Sequence, residues 1–482
     1  MYLGLDLGTS GLKALIVDEN GAAVATAHAQ YDVSQPHPNW SEQDPNEWVI
    51  ACLKVFTELD NNHGAAFQNI RAISMSGHMH GAVVVDTSGK PLRPCILWND
   101  MRSEAEAKQL DADPNFRKIS GNIVFPGFTA PKLMWMQKHE PDLYDRIHKV
   151  ILPKDFLLHW LTKRYVTDMS DAAGSSWLDV GARDWSETLL NASGMRMDQM
   201  PDLIEGSQIA GIIDPTIAHE CGFNQDVKVI AGGADNAVAA CGVGAAQEGQ
   251  GFVSLGTSGV LLAAKNGYHP APETAVHTFC HAVPERWYQM AVMLSATNSL
   301  NWLANTLNTT PAQLSKLCAG PISGPSKITF LPYLTGERTP HNDADIGGAF
   351  IGLKSNTTPA DLCQSVMEGV SFALRDCLEA LKSTGTELHE ILAIGGGSKS
   401  EFWIETLATI LNLRLALPDK GDFGAALGAA RLAMIGDGAD VETTLVPPAI
   451  AKHVSPNKKL QSEYEAAYQR FKKLYPLIKE AS

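Results

Sequence analysis

The chain has 482 residues, 45% of them hydrophobic, which is enough for two large buried cores and too much for one simple core. Its formal charge of −15 excludes partners held by clustered lysine and arginine, such as nucleic acid or an anionic membrane surface. No run approaches the roughly 20 uncharged apolar residues of a membrane span, no basic leader precedes the first strand, and the eight cysteines are scattered without paired spacing, so a cytoplasmic protein with reduced structural thiols is expected.

The first predicted element is a hairpin, Tyr2 to Leu7 and Leu12 to Val17, turning on Leu7-Gly8-Thr9-Ser10-Gly11. The same five residues recur at Leu255 to Gly259, again between apolar runs, Phe252 to Leu255 and Val260 to Ala264. Glycine removes the Cβ atoms that block close approach, so backbone N–H groups and the Thr and Ser hydroxyls can face an anion. Two ordinary hairpin turns are the plainer alternative, but the duplication favours two related halves gripping one polyphosphate, with Thr9, Ser10, Gly256 and Thr257 as contacts. Asp6 stands wrongly charged beside such a cradle unless a divalent cation intervenes. Mg²⁺, bound by Asp6 through water and by phosphate oxygens, fits that position.

Next, Asp44-Pro45-Asn46-Glu47 opens a helix with Asp44 as N-cap and Glu47 closing a capping box, and Trp48, Leu53 and Phe56 supply its buried face. Strands at Ile70 to Ser76 and Ala82 to Asp86 leave Gly77-His78-Met79-His80-Gly81 on a loop. His78 and His80 in extended chain would share one side, as in a zinc pair, but no further ligand cluster accompanies them. The preferred reading is hydroxyl recognition by His80, whose imidazole both donates and accepts. Trp98-Asn99-Asp100-Met101-Arg102 combines an aromatic plate, an amide, a carboxylate and a cation, as sugar sites do; a surface salt bridge between Asp100 and Arg102 is the equal alternative. The region from Trp98 to about Asp179 is rich in helix signals and reads as an insertion.

A strand at Val227 to Ala231 ends in Gly232-Gly233-Ala234-Asp235-Asn236, which places Asp235 at the carboxyl edge of the sheet where ligands bind. There it is the candidate carboxylate for receiving the proton of an attacking hydroxyl, with helix capping as the competing role. The glycine-rich stretch near Gly244 marks the expected boundary between domains 1–244 and 245–482. Beyond it, Glu390 to Ile394 runs into Gly395-Gly396-Gly397-Ser398 and a helix from Glu401 to Leu411, either a nucleotide-binding corner or a plain tight turn. Gly424 to Ala430 opens an alanine-rich helix whose small face admits backbone or ligand, and Leu460, Tyr464, Phe471, Leu474 and Ile478 recur at helical spacing as a packing element.

With these turns in hand, the chain resembles the FGGY family of carbohydrate kinases over nearly its whole length, and within it the xylulose-phosphorylating branch. Two signature stretches carry the resemblance: Gly127 to His139 with Thr129, Lys132, Trp135 and Lys138, and Gly348 to Glu368 with Phe350, Gly352, Leu353, Asp361, Ser365 and Glu368. Trp40 to Pro45, Met79 to Gly81, Leu152 to Asp155, Leu331 to Leu334 and Gly336 to Pro340 add to it. The resemblance implies an α/β fold of two actin-like (ribonuclease H-like) domains flanking a deep catalytic cleft, sugar on the first and ATP mainly on the second. It implies a homodimer that transfers the γ-phosphoryl of MgATP to O5 of D-xylulose, Asp235 serving as base, Asp6 assisting at the metal, and Met79 and His80 touching sugar. Trp98, Asp100, Arg102 and Asn236 are further sugar candidates, and Gly396, Gly397 and Ser398 nucleotide candidates. His78 stands where the branch usually has Gln, and Ala234 where it has a third glycine. A kinase for ribulose or glycerol, and an actin-like ATPase without a sugar, are the alternatives.

Overall fold

The computed structural model describes residues 1–224, 226–419 and 424–481. Among them are two seven-stranded sheets. The first runs Ile209–Ile212, Lys228–Ile230, Ala72–Gly77, Tyr2–Leu7, Gly11–Val17, Ala23–Gln30, with Gly233–Ala234 also beside Ala72–Gly77. The second runs His277–Cys280, Trp287–Met293, Gly259–Lys265, Gly251–Leu255, Glu390–Ile394, Arg414–Pro418, Ile450–Val454. Leaving out the outer strand His277–Cys280, the two sheets match step for step. Each has a three-stranded antiparallel meander, two parallel strands added to its founding strand, and an antiparallel strand closing the far edge. Each founding hairpin turns on the repeated pentapeptide.

Strands covered on both faces read as continuous apolar runs, and the first hairpin is covered on both. Leu3, Leu5, Leu7 and Leu12 pack with Trp48, Val55, Phe56 and Leu59 of the helix Pro45–Phe67. Tyr2, Leu15 and Val17 pack instead with Ala426, Leu427, Ala430, Ala433 and Met434. Those last residues belong to the helix Ala425–Gly436, which follows the second sheet's parallel strands in sequence yet lies on the first sheet. Small residues permit the approach: a Cβ on Gly4 would stand 2.0 Å from the Ala426 carbonyl oxygen. The small face of this helix thus admits backbone on both sides, since Gly428 meets Val238 in the same manner.

Local expectations are refined in three places. Asp44 caps the helix Pro45–Phe67 by accepting from the Asn46 N–H at 2.9 Å, while Glu47 is exposed and adds no reciprocal capping bond among the described residues. Leu53 is 38% exposed and not part of the buried face: it lies about 140° around the helix from Trp48, outside the stripe of Trp48, Cys52, Val55, Phe56 and Leu59. The terminal periodic segment is two helices, Gln461–Lys472 and Leu474–Ala481, with Tyr464 and Phe471 buried against the second core. All eight cysteines are free thiols, and no helix among the described residues is long and apolar enough to cross a membrane.

Candidate active site

Strand register builds the first half of the site. Tyr2–Leu7 and Gly233–Ala234 both run parallel to Ala72–Gly77, with Asp6 and Gly233 level with Ser76, and Leu7 and Ala234 level with Gly77. Three chain segments therefore leave the sheet side by side at its carboxyl edge: the turn Gly8 to Ser10, the loop His78 to His80, and Asp235 with Asn236. The second sheet repeats the device, since Ser254 is level with Ile394 and the turns Gly256 to Ser258 and Gly395 to Ser398 emerge together.

Both Gly-Thr-Ser-Gly turns are tied down by their carbonyls. The Tyr31 hydroxyl donates to Gly8 O at 2.5 Å and the Gln43 amide to Thr9 O at 2.6 Å. In the second copy, Gly256 O accepts from the Thr297 hydroxyl and N–H at 2.7 and 2.9 Å, and Thr257 O accepts from Ala296 N–H at 2.9 Å. The N–H groups of Thr9, Ser10, Gly256, Thr257 and Ser258 donate to no acceptor among the described residues. Fixed carbonyls with open N–H groups, at two places in one molecule, are a geometry that can receive an anion. Gly395 completes the second one: with φ 89° and a hypothetical Cβ only 2.7 Å from Leu255 O, it lets the Gly396–Gly397 turn lie against the hairpin. A cavity of about 460 Å³ opens from Gly396 and Gly397, with Leu300, Pro311 and Ala312 on its apolar wall and Asn301 and Ser315 as polar groups.

Asp235 is the first residue of the helix Asp235–Gly242, after Ala234 at the cap position. Its Oδ1 accepts from the Asn236 N–H at 2.6 Å and the Asn236 side-chain amide at 2.8 Å, so local helix-start bonding and display at the sheet edge coexist. Burial, reinforced by the Asp6 carboxylate, pushes the Asp235 carboxyl up to about 7. Behind it lies a closed ionic cluster: fully buried Lys154 sits 2.5 Å from Asp155, 2.9 Å from Asp168 and 3.8 Å from Asp171. Burial pushes Asp171 far above the carboxylate range. Ser170 passes this order to the site by accepting from the Ala234 N–H at 3.1 Å.

The two histidines separate. His80 has φ 70°, which breaks the extended geometry that a one-sided His-x-His pair requires. Its ring stacks on Phe128 at 4.3 Å and its Nδ1 lies 2.7 Å from Gly174 O. Thr129 and Lys132 of the first signature stretch both donate to the His80 carbonyl, at 3.1 and 2.8 Å, and hold that conformation. His78 is buried edge-on against Trp48, and neither ring nitrogen has a hydrogen-bond partner among the described residues. Met79 is buried with its sulfur 4.0 Å from the Tyr288 hydroxyl of the second sheet.

Trp98 is half exposed and donates through Nε1 to the Thr9 hydroxyl at 3.1 Å, in the first Gly-Thr-Ser-Gly turn. Asp100 and Arg102 do form a salt bridge, but it is buried and not on the surface. Asp100 accepts from Ser41 N–H and from Arg102, which also pairs with Glu42 and stacks 3.6 Å over Trp40. Their polar atoms are engaged in this packing, and the structure does not bring them into the row formed by Asp6, Thr9, Ser10, Met79, His80, Asp235 and Asn236. Residues missed from sequence include Tyr31, Thr297, Asp168 and Asp171, while Gln43, Lys154 and Asp155 stood in stretches that carry the resemblance without a role of their own.

Two duplicated α/β halves, each turning on Gly-Thr-Ser-Gly, with a carboxylate at the first sheet's carboxyl edge, are the architecture of a two-domain phosphoryl-transfer enzyme. The models of the FGGY carbohydrate kinases match here, the N-terminal domain over residues 1–242 and the C-terminal domain over 251–436. The chain is 44% identical to a xylulose kinase of Escherichia coli and 42% identical to one of Klebsiella pneumoniae, over 98–99% of each chain. It is also similar to a solved structure described as a "xyloylose kinase" from Brucella ovis, at 52% identity, full coverage of both chains and a TM-score of 0.99. The chain belongs to the FGGY family of carbohydrate kinases, has that family's actin-like α/β fold, and takes a sugar and ATP as its substrates.

Proposed function

We propose that this protein transfers the γ-phosphoryl group of ATP to O5 of D-xylulose, giving D-xylulose 5-phosphate and ADP. The observation that carries the phosphoryl chemistry is the pair of Gly-Thr-Ser-Gly turns with tied carbonyls and open N–H groups. The full-length similarity to xylulose kinases supports the choice of sugar.

In this reading, the turns at Thr9 and Thr257 hold the polyphosphate from the two domains and the cavity beside Gly396 takes the nucleoside. The sugar lies along Met79 and His80 with O5 toward Asp235. Asp235 accepts the O5 proton as the O5–P bond forms and the bond from Pγ to the bridging oxygen of ADP breaks. Asn236 holds the carboxylate so that one oxygen stays directed by two donors. Two carboxylates at one phosphate edge, Asp6 and Asp235, suit a Mg²⁺ ion at Asp6, which supplies charge neutralisation for the phosphates. Domain closure excludes water as a competing acceptor.

The test is ADP release from MgATP with D-xylulose, D-ribulose, L-ribulose, L-xylulose, glycerol and no sugar, compared as kcat/KM. D-Xylulose should lead, over a low rate without sugar. Preference for another acceptor would reject the sugar assignment, and equal rates throughout would reject the kinase reading.

A further inference from the structure

Arg338 carries a charge whose electrostatic neighbour is Glu337. Among the described residues its guanidinium makes no hydrogen bond or ion pair, and lies 4.6 Å over the ring of Phe125. Glu337 makes no ion pair with the guanidinium: its Oε1 accepts from the Leu294 and Arg338 N–H groups at 3.0 and 2.8 Å, and burial pushes its carboxyl up to about 8. Burial lowers the proton affinity of Arg338, and its charge in turn helps depress His80 and His277. The guanidinium is therefore close to the sugar-side loop, in the aromatic group of Phe125, Phe128, His277 and His80.

The backbone that presents it is rigid. Thr339 N–H donates to Val292 O at 3.0 Å, Val292 N–H donates to the Thr339 hydroxyl at 3.1 Å, and that hydroxyl donates to Ala275 O at 2.9 Å. The second sheet thus extends a cation across to the first domain and holds it there. Arg338 is only partly buried, and its guanidinium nitrogens are not among the sealed polar atoms, so its donors stay open to a ligand.

His80 defines what the ligand presents beside it. A carbonyl oxygen cannot donate, so the 2.7 Å contact to Gly174 O puts the proton on Nδ1 and leaves Nε2 as an acceptor. A donor and an acceptor on the same aromatic group match a carbonyl and a hydroxyl of one ligand. We propose that Arg338 contacts the substrate, donating to the keto oxygen of the open-chain sugar while His80 Nε2 accepts from the adjacent hydroxyl. The pair selects a 2-ketose over the polyol of the same carbon chain. This rests on the sugar-kinase reading above and adds a specificity residue to it.

The experiment compares D-xylulose with the two pentitols obtained by reducing its C2, measuring kcat/KM for the ketose and inhibition constants for the pentitols. It uses wild type, Arg338→Met and Arg338→Lys. Arg338→Met should lose about 100-fold in kcat/KM for the ketose, mainly through KM, with pentitol binding changed less than about threefold. Added guanidinium ion should restore part of the loss. Equal losses for ketose and pentitols, or none for either, would overturn the assignment. Should Arg338→Met fail to fold, Arg338→Lys decides: ketose-over-pentitol discrimination must fall by at least about tenfold, and unchanged discrimination would overturn it. A wild-type enzyme that phosphorylates no ketose would instead reject the sugar reading itself.

Discussion

A Cβ placed on Gly428 would stand 1.8 Å from the carbonyl oxygen of Val238. Gly428 is in the helix Ala425–Gly436 and Val238 in the helix Asp235–Gly242, whose last-turn carbonyls, Cys241 O and Gly242 O, accept from Arg431 at 2.9 and 3.0 Å. Gly428→Ala must push these helices apart at an overpacking cost of about 1–3 kcal/mol. Because the displaced helix begins at Asp235, turnover should fall more than nucleotide affinity. Denaturant midpoints and single-turnover rates check this; an unchanged midpoint would mean the contact relaxes freely.

Asp235→Asn should lower kcat by about 10²- to 10⁴-fold while the protein stays folded. The wild-type base works only when ionised, so kcat/KM should climb with pH and level off above about 7. The stability effect has the opposite sign. A carboxyl near 3.8 when unfolded and about 7 when folded weakens the native state as pH rises between those values. The asparagine variant escapes this loss, so its Tm relative to wild type should increase from pH 4 to pH 7. A constant Tm difference would contradict the raised carboxyl.

Lys154→Met leaves Asp155, Asp168 and Asp171 buried without a cation and should destabilise the first domain by about 3–5 kcal/mol. Lowering the pH protonates the orphaned carboxyls, so the variant should recover stability relative to wild type in acid. Asp171→Asn replaces the carboxyl farthest from Lys154, the one whose charged form burial disfavours, and should cost less at neutral pH than Lys154→Met. Urea titrations of both variants at two pH values separate these expectations, and equal losses would refute the charge assignment.

Burial depresses His78 to about 3, so the native state resists a proton that the unfolded chain binds near 6.5. Stability from this group is complete above 6.5 and lost as pH falls toward 3. His78→Gln should therefore shrink the gap between urea midpoints at pH 7.5 and pH 4.5. An identical gap in the two proteins would place the acid sensitivity elsewhere.

Local signals located most of the fold because they are physically local: the pentapeptide turns, the glycines after strands and the stretch from Glu390 to Leu411 are set by neighbours in sequence. The helix stripe slipped at Leu53 because apolarity alone does not fix angular phase. Asp100 and Arg102 were legible as a pair but not as a buried one, since burial depends on Trp40 and Glu42 arriving from about sixty residues upstream. The Lys154 cluster and Arg338 were invisible as charges with special surroundings. Their neighbours, Asp168, Asp171 and Phe125, are set by tertiary packing that no spacing rule encodes.

The helix Ala425–Gly436 has a consequence for synthesis. Tyr2, Leu15, Val17, Ala72 and Ile230 are all translated before Ala426 to Met434, the residues that cover them. At about 5–20 residues per second, the ribosome needs on the order of 10–40 s to travel from residue 230 to residue 434. Through that interval the residues that cover this face of the first sheet do not yet exist. A nascent chain stalled after the first sheet should bind hydrophobic dyes and holdase chaperones, and a peptide spanning the late helix, supplied in trans, should release it.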